Sequence, residues 1–160
     1  MKEIKIINSF TIYDDLDELS KEDNDLFKKA IKARDDAYAP YSNFLVGCAV
    51  SLTNGEVVIG NNQENAAYPS GLCAERVAIY YAAAKYPNIP ILKIVITAKS
   101  NLKKVERPVA PCGACRQTIA EYEIKQDKNI AILFMGETGK IIKSSSLKNL
   151  LPLGFDKTYL

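Results

Sequence analysis

Three cysteines and one glutamate carry most of the chemistry open to this sequence. Cys73 and Glu75 lie in PSGLCAERVAI, Cys112 and Cys115 lie in APCGACRQTIAEY, and the 160-residue chain contains no histidine. Thiolates bind zinc readily, and a catalytic zinc keeps three protein ligands and one position for water. Residues three apart on a helix share a face, so Cys112 and Cys115 can grip one ion while Cys73 completes the set. Glu75 is two positions from Cys73 and off its helical face. That disfavours the carboxylate as a ligand and leaves it able to exchange protons with water on the metal.

Spacing leaves rival uses of these residues open. Four cysteines could form two disulfides, but no secretory signal is visible, and thiolate chemistry is the better reading of a C-x-x-C pair. Thioredoxin-like redox chemistry would leave Cys73 unused, and PCGACRQ follows no clear strand. A closed structural site would take Cys48 as a fourth ligand and leave Glu75 solvated. Cys48 lies in the apolar run FLVGCAV, where a free cysteine usually behaves as a small buried hydrophobe. On the residues alone, a catalytic and a structural metal site both stand.

The elements around these residues read as an alternation of strands and helices. KEIKIINSFTIY suggests a short first strand, followed by the acidic patch DDLDELSKED, which reads as solvated turn and helix-start charge. Leu26, Ala30, Ala33 and Ala37 recur at spacings of four and three, with Phe27 and Ile31 alongside, which predicts an amphipathic helix over about 23–38. LVGCAVSL and VVIGNN flank TNGE as a hairpin. LCAERVAIYYAAAKY reads as a buried helix closed by Pro87, ILKIVITA as a strand and CGACRQTIAEYE as another helix. NIAILFM and KIIKSS bracket GETG, and SLKNLLPLGF closes with a short helix. Both ligand groups then fall at helix N-termini, where the macrodipole favours thiolate. Arg76 and Gln117 are candidates to lie just outside the ligands. Arg76, with the helix ends, would draw off thiolate charge so that water on the metal still ionises near neutral pH.

The remaining composition narrows the function classes. Charged residues make up 25% and hydrophobic ones 48%, with 21 basic against 19 acidic side chains and a net charge of +2. This profile belongs to a soluble globular protein and offers no electrostatic case for nucleic acid or an anionic membrane. MKEIKIINSF carries charges where a signal peptide needs an apolar core, and no run is long enough to span a membrane, so a cytoplasmic location is expected. No repeat or linker is visible. One domain over 1–160 is expected, with about 1–22 as an N-terminal extension.

Beyond the ligands, the chain resembles a known family. CAE and PCGAC match the H-x-E…P-C-x-x-C signature of zinc deaminases, with cysteine in place of histidine. The lack of histidine excludes the branches with a histidine ligand, which act on deoxycytidylate, tRNA adenosine or polynucleotide cytosine. YAPYSNFLVGCAV, NNQENAAYPSGLCAER, PCGACRQ and LLPLGF are similar, in order, to the blocks of the small homotetrameric cytidine deaminases, from about Tyr38 to Phe155.

The resemblance implies a three-layer α/β/α fold with a mixed five-stranded sheet plus the N-terminal extension. It implies one Zn²⁺ per subunit on Cys73, Cys112 and Cys115, with Glu75 as proton shuttle. It implies hydrolysis of cytidine and 2′-deoxycytidine to the uridines with release of ammonia, by zinc-bound hydroxide attack at C4, in pyrimidine salvage. The Ala74 N–H would meet the pyrimidine 2-carbonyl, and Asn62 and Glu64 would bond the ribose hydroxyls. Phe44 would pack on the base, while Phe155, and similarly Tyr68, would reach a neighbouring subunit's site in a homotetramer. Other small aminated heterocycles are the alternative substrates, and the Asn62 and Glu64 pair favours a nucleoside. Leu45 and Cys48 depart from the proline and alanine common there, as packing changes.

Overall fold

The computed structural model describes residues 1–160. Its regular elements are β1 (Thr11–Tyr13), α1 (Lys21–Asp35), β2 (Phe44–Leu52), β3 (Val57–Asn61), α2 (Ala74–Lys85), β4 (Ile91–Ser100), α3 (Gly113–Lys125), β5 (Ala131–Met135) and β6 (Ile141–Ser144). They form one sheet in the order β1-β6-β5-β4-β2-β3, in which only β4 and β5 run parallel.

Alternation along the strands sorts the core into two sides. Ala49, Val95 and Leu133 pack with Leu26, Phe27 and Ala30 of α1. Their sequence neighbours Cys48, Ile94, Ile96, Ile132 and Phe134 point the other way, toward Ala74, Ala78 and Ile79 of α2 and Ile119 of α3. Period-two strands with both faces apolar need helices on both sides, and the result is three layers.

Two glycines set how closely those helices lie. A Cβ at Gly47 would fall 2.0 Å from the Ala30 carbonyl oxygen, and one at Gly60 would fall 2.7 Å from both the Ala74 oxygen and the Ala78 nitrogen. Small residues on α2 complement this: Ala74, Ala78 and Ala82 are all buried.

The same topology converges the site. β3 and β4 are both antiparallel to the intervening β2, so they point the same way and end at the same edge of the sheet. β3 leads into α2 and β4 into α3, which brings the two helix N-termini together there. Sites at the carboxyl ends of such strands are the rule for open α/β sheets.

Three details differ from the sequence-based expectations. The sheet has six strands rather than five, because the extension contributes β1 at the edge against β6. Only Thr11–Tyr13 of KEIKIINSFTIY pair, since β6 offers just four residues before the chain turns away. The C-terminal helix reduces to a 3-10 turn at Leu147–Asn149, and Leu153 beyond it takes a left-handed φ of 57°. In the TNGE turn, Gly55 alone has positive φ, at 85°.

Candidate active site

Cys73 and Cys112 each occupy the residue immediately before a helix, α2 and α3 respectively, and neither side chain bonds its helix's N–H groups. Their sulfurs are therefore left at two positive helix ends and free for another partner. Cys115 sits one turn into α3, fully buried. Sγ–Sγ separations are 3.7 Å for Cys73–Cys112 and 3.5 Å for Cys112–Cys115, and all three sulfurs lie within 4.8 Å of one another. A tetrahedral zinc with bonds of about 2.3 Å needs its sulfurs about 3.8 Å apart, so the three donors fit the ion in number, type and spacing. All four cysteines are free thiols, and the cluster contains neither Cys48 nor Glu75.

Electrostatics within the cluster are graded. Hydrogen bonding from the Cys115 thiol, aided by the Cys112 thiol and by Arg76, outweighs burial and draws Cys73 down to about 5. Cys115 moves upward, because its proton is held by Cys73 and because it is buried near Glu75. Arg76 is half-buried in the first turn of α2, beside Cys73. Burial works against its charge, but the Cys73 sulfur, with Cys115 and Cys112, more than compensates. Its Nε has no hydrogen-bond partner, so its charge is uncommitted to any carboxylate.

Glu75 is 4% exposed. Burial, with the Cys73 charge added and its own N–H opposing, pushes its carboxyl up to about 7. It lies close enough to Cys115 and to Cys48 to influence both. A solvated side chain would have carried no such shift. A carboxyl balanced near neutrality can hold or release a proton at ordinary pH. Cys48 is fully buried, and burial first, then Glu75, raises its thiol well above the ordinary value. That is the environment of an inert core thiol.

A cleft of about 460 Å³ opens beside Cys73 and Arg76, with Tyr41, Asn62, Glu64 and Tyr68 in its walls. The Tyr41 and Tyr68 rings meet edge to face, their centroids 6.2 Å apart. Both ribose candidates are partly committed to the scaffold. Asn62 donates through Nδ2 to the Phe44 carbonyl (2.9 Å) and accepts through Oδ1 from the Val46 N–H (2.8 Å), so its amide splints the start of β2. Glu64 accepts from the Tyr41 and Ser42 N–H groups, at 2.9 and 3.2 Å, and from the Ser42 hydroxyl. Burial would raise its pKa, but these donors hold it below the usual carboxylate range. Each retains spare capacity, one amide hydrogen on Asn62 and one lone pair on Glu64.

The other expected residues are placed less uniformly. The Ala74 N–H belongs to the first turn of α2 and has no intrahelical acceptor. Phe44 opens β2, half-buried, but does not line the cleft; its N–H donates to the Ser42 hydroxyl at 3.0 Å. Tyr68, expected to reach a neighbour, lines the cleft of its own chain and is 77% exposed. Phe155 is 58% exposed, stacks on Tyr159 at 5.6 Å and lies outside the cleft. Gln117 donates through Nε2 to the Phe155 carbonyl at 2.9 Å, fastening the C-terminal tail to α3.

Sequence reasoning missed Ser42 and Arg116. Ser42 joins Glu64 to the turn before Phe44. Arg116 donates to the Pro111 carbonyl (2.8 Å) and the Leu150 carbonyl (2.9 Å), clamping the loop that delivers Cys112. Both stand inside quoted motifs, YSNF and PCGACRQ, and that adjacency was the available signal.

A second cavity of about 220 Å³ lies at the far ends of α2 and α3, walled by Tyr86, Tyr122 and Gln126. It contains no thiol or carboxylate.

Residues 20–128 match the model of the cytidine and deoxycytidylate deaminase zinc-binding region. A cytidine deaminase of Halalkalibacterium halodurans is 38% identical over 130 residues, covering 81% of this chain and 91% of that protein. One of Sporosarcina psychrophila is 36% identical over 132 residues, covering 82% and 90%. The crystal structure of cytidine deaminase from Burkholderia pseudomallei superposes with a TM-score of 0.72 at 34% identity, over 86% of this chain and all of that one.

Proposed function

Because this chain belongs to the cytidine and deoxycytidylate deaminase family, we propose that it hydrolyses cytidine and 2′-deoxycytidine to the corresponding uridines and ammonia. The observation that carries the reading is the convergence of three thiols beside one buried carboxyl, with Cys73 lining a polar cleft. The alternative of a closed four-cysteine site fails on position, since Cys48 lies outside the cluster and within the apolar core.

Cys73, Cys112 and Cys115 hold zinc, which supplies the Lewis acidity that makes water nucleophilic near neutral pH. Glu75 accepts the proton that water loses and delivers it to N3 of the pyrimidine. A second proton passes through the same carboxyl to the departing amino group, so one water is consumed and one ammonia leaves. Burial serves this role directly, because a carboxyl near 7 neither clings to its proton nor refuses one. Arg76 offsets the negative charge of three thiolates, with help from the two helix ends. The Ala74 N–H donates to the pyrimidine 2-carbonyl. The spare amide hydrogen of Asn62 and the spare lone pair of Glu64 meet the ribose 3′-hydroxyl, which both nucleosides possess.

The rest of the reading follows the family resemblance. Residues 1–160 act as one domain, in the cytoplasm, in pyrimidine salvage. Phe155 and Tyr68 are exposed, which supports their completing neighbouring sites in a homotetramer, with Phe44 packing on the base from its own chain.

The test is the ultraviolet band of cytidine incubated with zinc-loaded protein, beside Glu75→Gln. Wild type converts the substrate, and the variant keeps one zinc per chain but slows by about 10²–10⁴-fold. Equal turnover by Glu75→Gln, or no conversion by zinc-loaded wild type, refutes the assignment.

A further inference from the structure

The N-terminal arm takes no part in the cleft and leaves apolar surface uncovered. Residues 1–10 form neither helix nor strand, and their only side-chain-mediated tether to the body is the Ser9 N–H donating to Asn149 Oδ1 at 3.3 Å. Ile4, Ile6, Phe10 and Ile12 are 79%, 48%, 43% and 60% exposed. They occupy alternate positions, so in an extended chain all four lie on one face. β1 is the terminal strand of the sheet, and its outer edge is unpaired. An exposed apolar edge of this kind is a template for another strand.

The register of the sheet says which face is involved. Ile96 pairs with Phe134, Phe134 with Ile142 and Ile142 with Ile12, in a row across β4, β5, β6 and β1. Ile96 and Phe134 are buried, Ile142 is half-buried and Ile12 is open. The apolar row thus runs out at the edge with one position uncovered.

We propose that the arm pairs antiparallel with the same arm of a second copy of this chain, about a two-fold axis at Asn8, joining the two sheets edge to edge. In this register the partner's residues 3–5 lie along Thr11–Tyr13. Ile12 faces the partner's Ile4, which continues the row, and Ile6 faces the partner's Phe10. Lys2 faces the partner's Asp14, and Asn8 faces its own symmetry mate. Each apolar residue on this face thereby meets an apolar one, and the charges at the two ends are opposite. A two-fold interface requires such self-complementarity. Shifting the register by one residue would place each of these side chains opposite one from the other face of the arm, and would set Glu3 against Asp14. The Asp14 N–H donates to Glu18 at 2.8 Å, while its exposed carboxylate pairs only with exposed Lys140, at 3.0 Å, and is accessible to Lys2.

Disulfide trapping of the zinc-loaded full chain tests both the partner and the register. Asn8→Cys under mild oxidation should give a covalent dimer, whereas Glu3→Cys should stay monomeric on a non-reducing gel. In the proposed register two Glu3 positions are ten residues apart, roughly 33 Å along the strands. Cross-linking of Glu3→Cys as fast as Asn8→Cys would mean unpaired, freely moving arms and would overturn the proposal. Failure of Asn8→Cys to cross-link would also overturn it, and would leave the edge to solvent or to a different partner. Within the Asn8→Cys background, Lys2→Glu should slow trapping roughly threefold, and adding Asp14→Lys should restore the rate. A rate indifferent to Lys2→Glu refutes the register. All these positions are exposed and far from the thiol cluster, so the zinc content of every variant should equal that of wild type.

Discussion

Replacing Gly60 by alanine tests whether helix spacing controls the metal site. The new methyl would stand 2.7 Å from the Ala74 oxygen and the Ala78 nitrogen and 3.0 Å from the Ala78 Cβ, where ordinary contact begins at 3.4 Å. The first two neighbours are backbone atoms that no rotamer change can move, so the N-terminal half of α2 retreats by roughly 0.7 Å. Overpacking of this type costs about 1–3 kcal/mol. In a chain of this length that lowers the thermal midpoint by roughly 2–12 °C. Cys73 immediately precedes Ala74 and moves with it, widening a Cys73–Cys112 separation that now stands at 3.7 Å. Zinc should be lost to a competing chelator about 10–100-fold more readily, and turnover should fall by about 10²-fold. The assays are a melting curve, a chelator titration with zinc detection, and the cytidine absorbance. Gly113→Ala is the control, because a Cβ there meets nothing within 4 Å; it should keep its zinc and its thermal midpoint. A Gly60→Ala protein with wild-type midpoint and zinc retention would falsify the reasoning.

Other outcomes follow from particular contacts. Cys48→Ala should retain one zinc per chain and lose about 1 kcal/mol of stability, the worth of one small buried group; a halved zinc content would make Cys48 a ligand. Glu123 is buried and accepts from the Ile130 N–H, the Ser146 hydroxyl and the Leu147 N–H at 2.8, 2.6 and 3.0 Å. Glu123→Ala strands those donors and should cost about 3 kcal/mol in a denaturant titration, with zinc stoichiometry unchanged. The folded-state pKa of Glu64 is depressed, so its stabilisation is complete above its ordinary value of 4.5 and is lost as pH falls through the folded value. The difference in melting temperature between wild type and Glu64→Gln should therefore be largest near neutrality and shrink on acidification below that value. A difference independent of pH would show that the carboxylate charge is not what the Tyr41–Ser42 turn uses.

The sequence alone determined the candidate donor set, because ligands are recognised by residue type and local spacing, while the choice between an open and a closed site waited on where Cys48 and Glu75 lie. Cys112 and Cys115 three apart on one helix, Cys73 at the start of another, and Glu75 off the ligand face were legible without coordinates. So was the order of strands and helices, since hydrophobic period distinguishes the two. Tertiary structure decided whatever depends on residues distant in the chain. That β3 and β4 end at one edge, bringing Cys73 within 3.7 Å of Cys112, follows from strand order, which no local pattern encodes. Burial of Glu75, and hence its poise near 7, depends on what α2 packs against. Gln117 sits in the motif beside the ligands, and its bond to the tail at Phe155 was not legible there, because the amide bonds whichever acceptor the fold presents. The first strand was legible in KEIKIINSFTIY, but its short extent and its place at the sheet edge were hidden for a similar reason. Three residues pair there only because β6 happens to end the sheet beside them, and strand pairing is energetically a property of two segments rather than one.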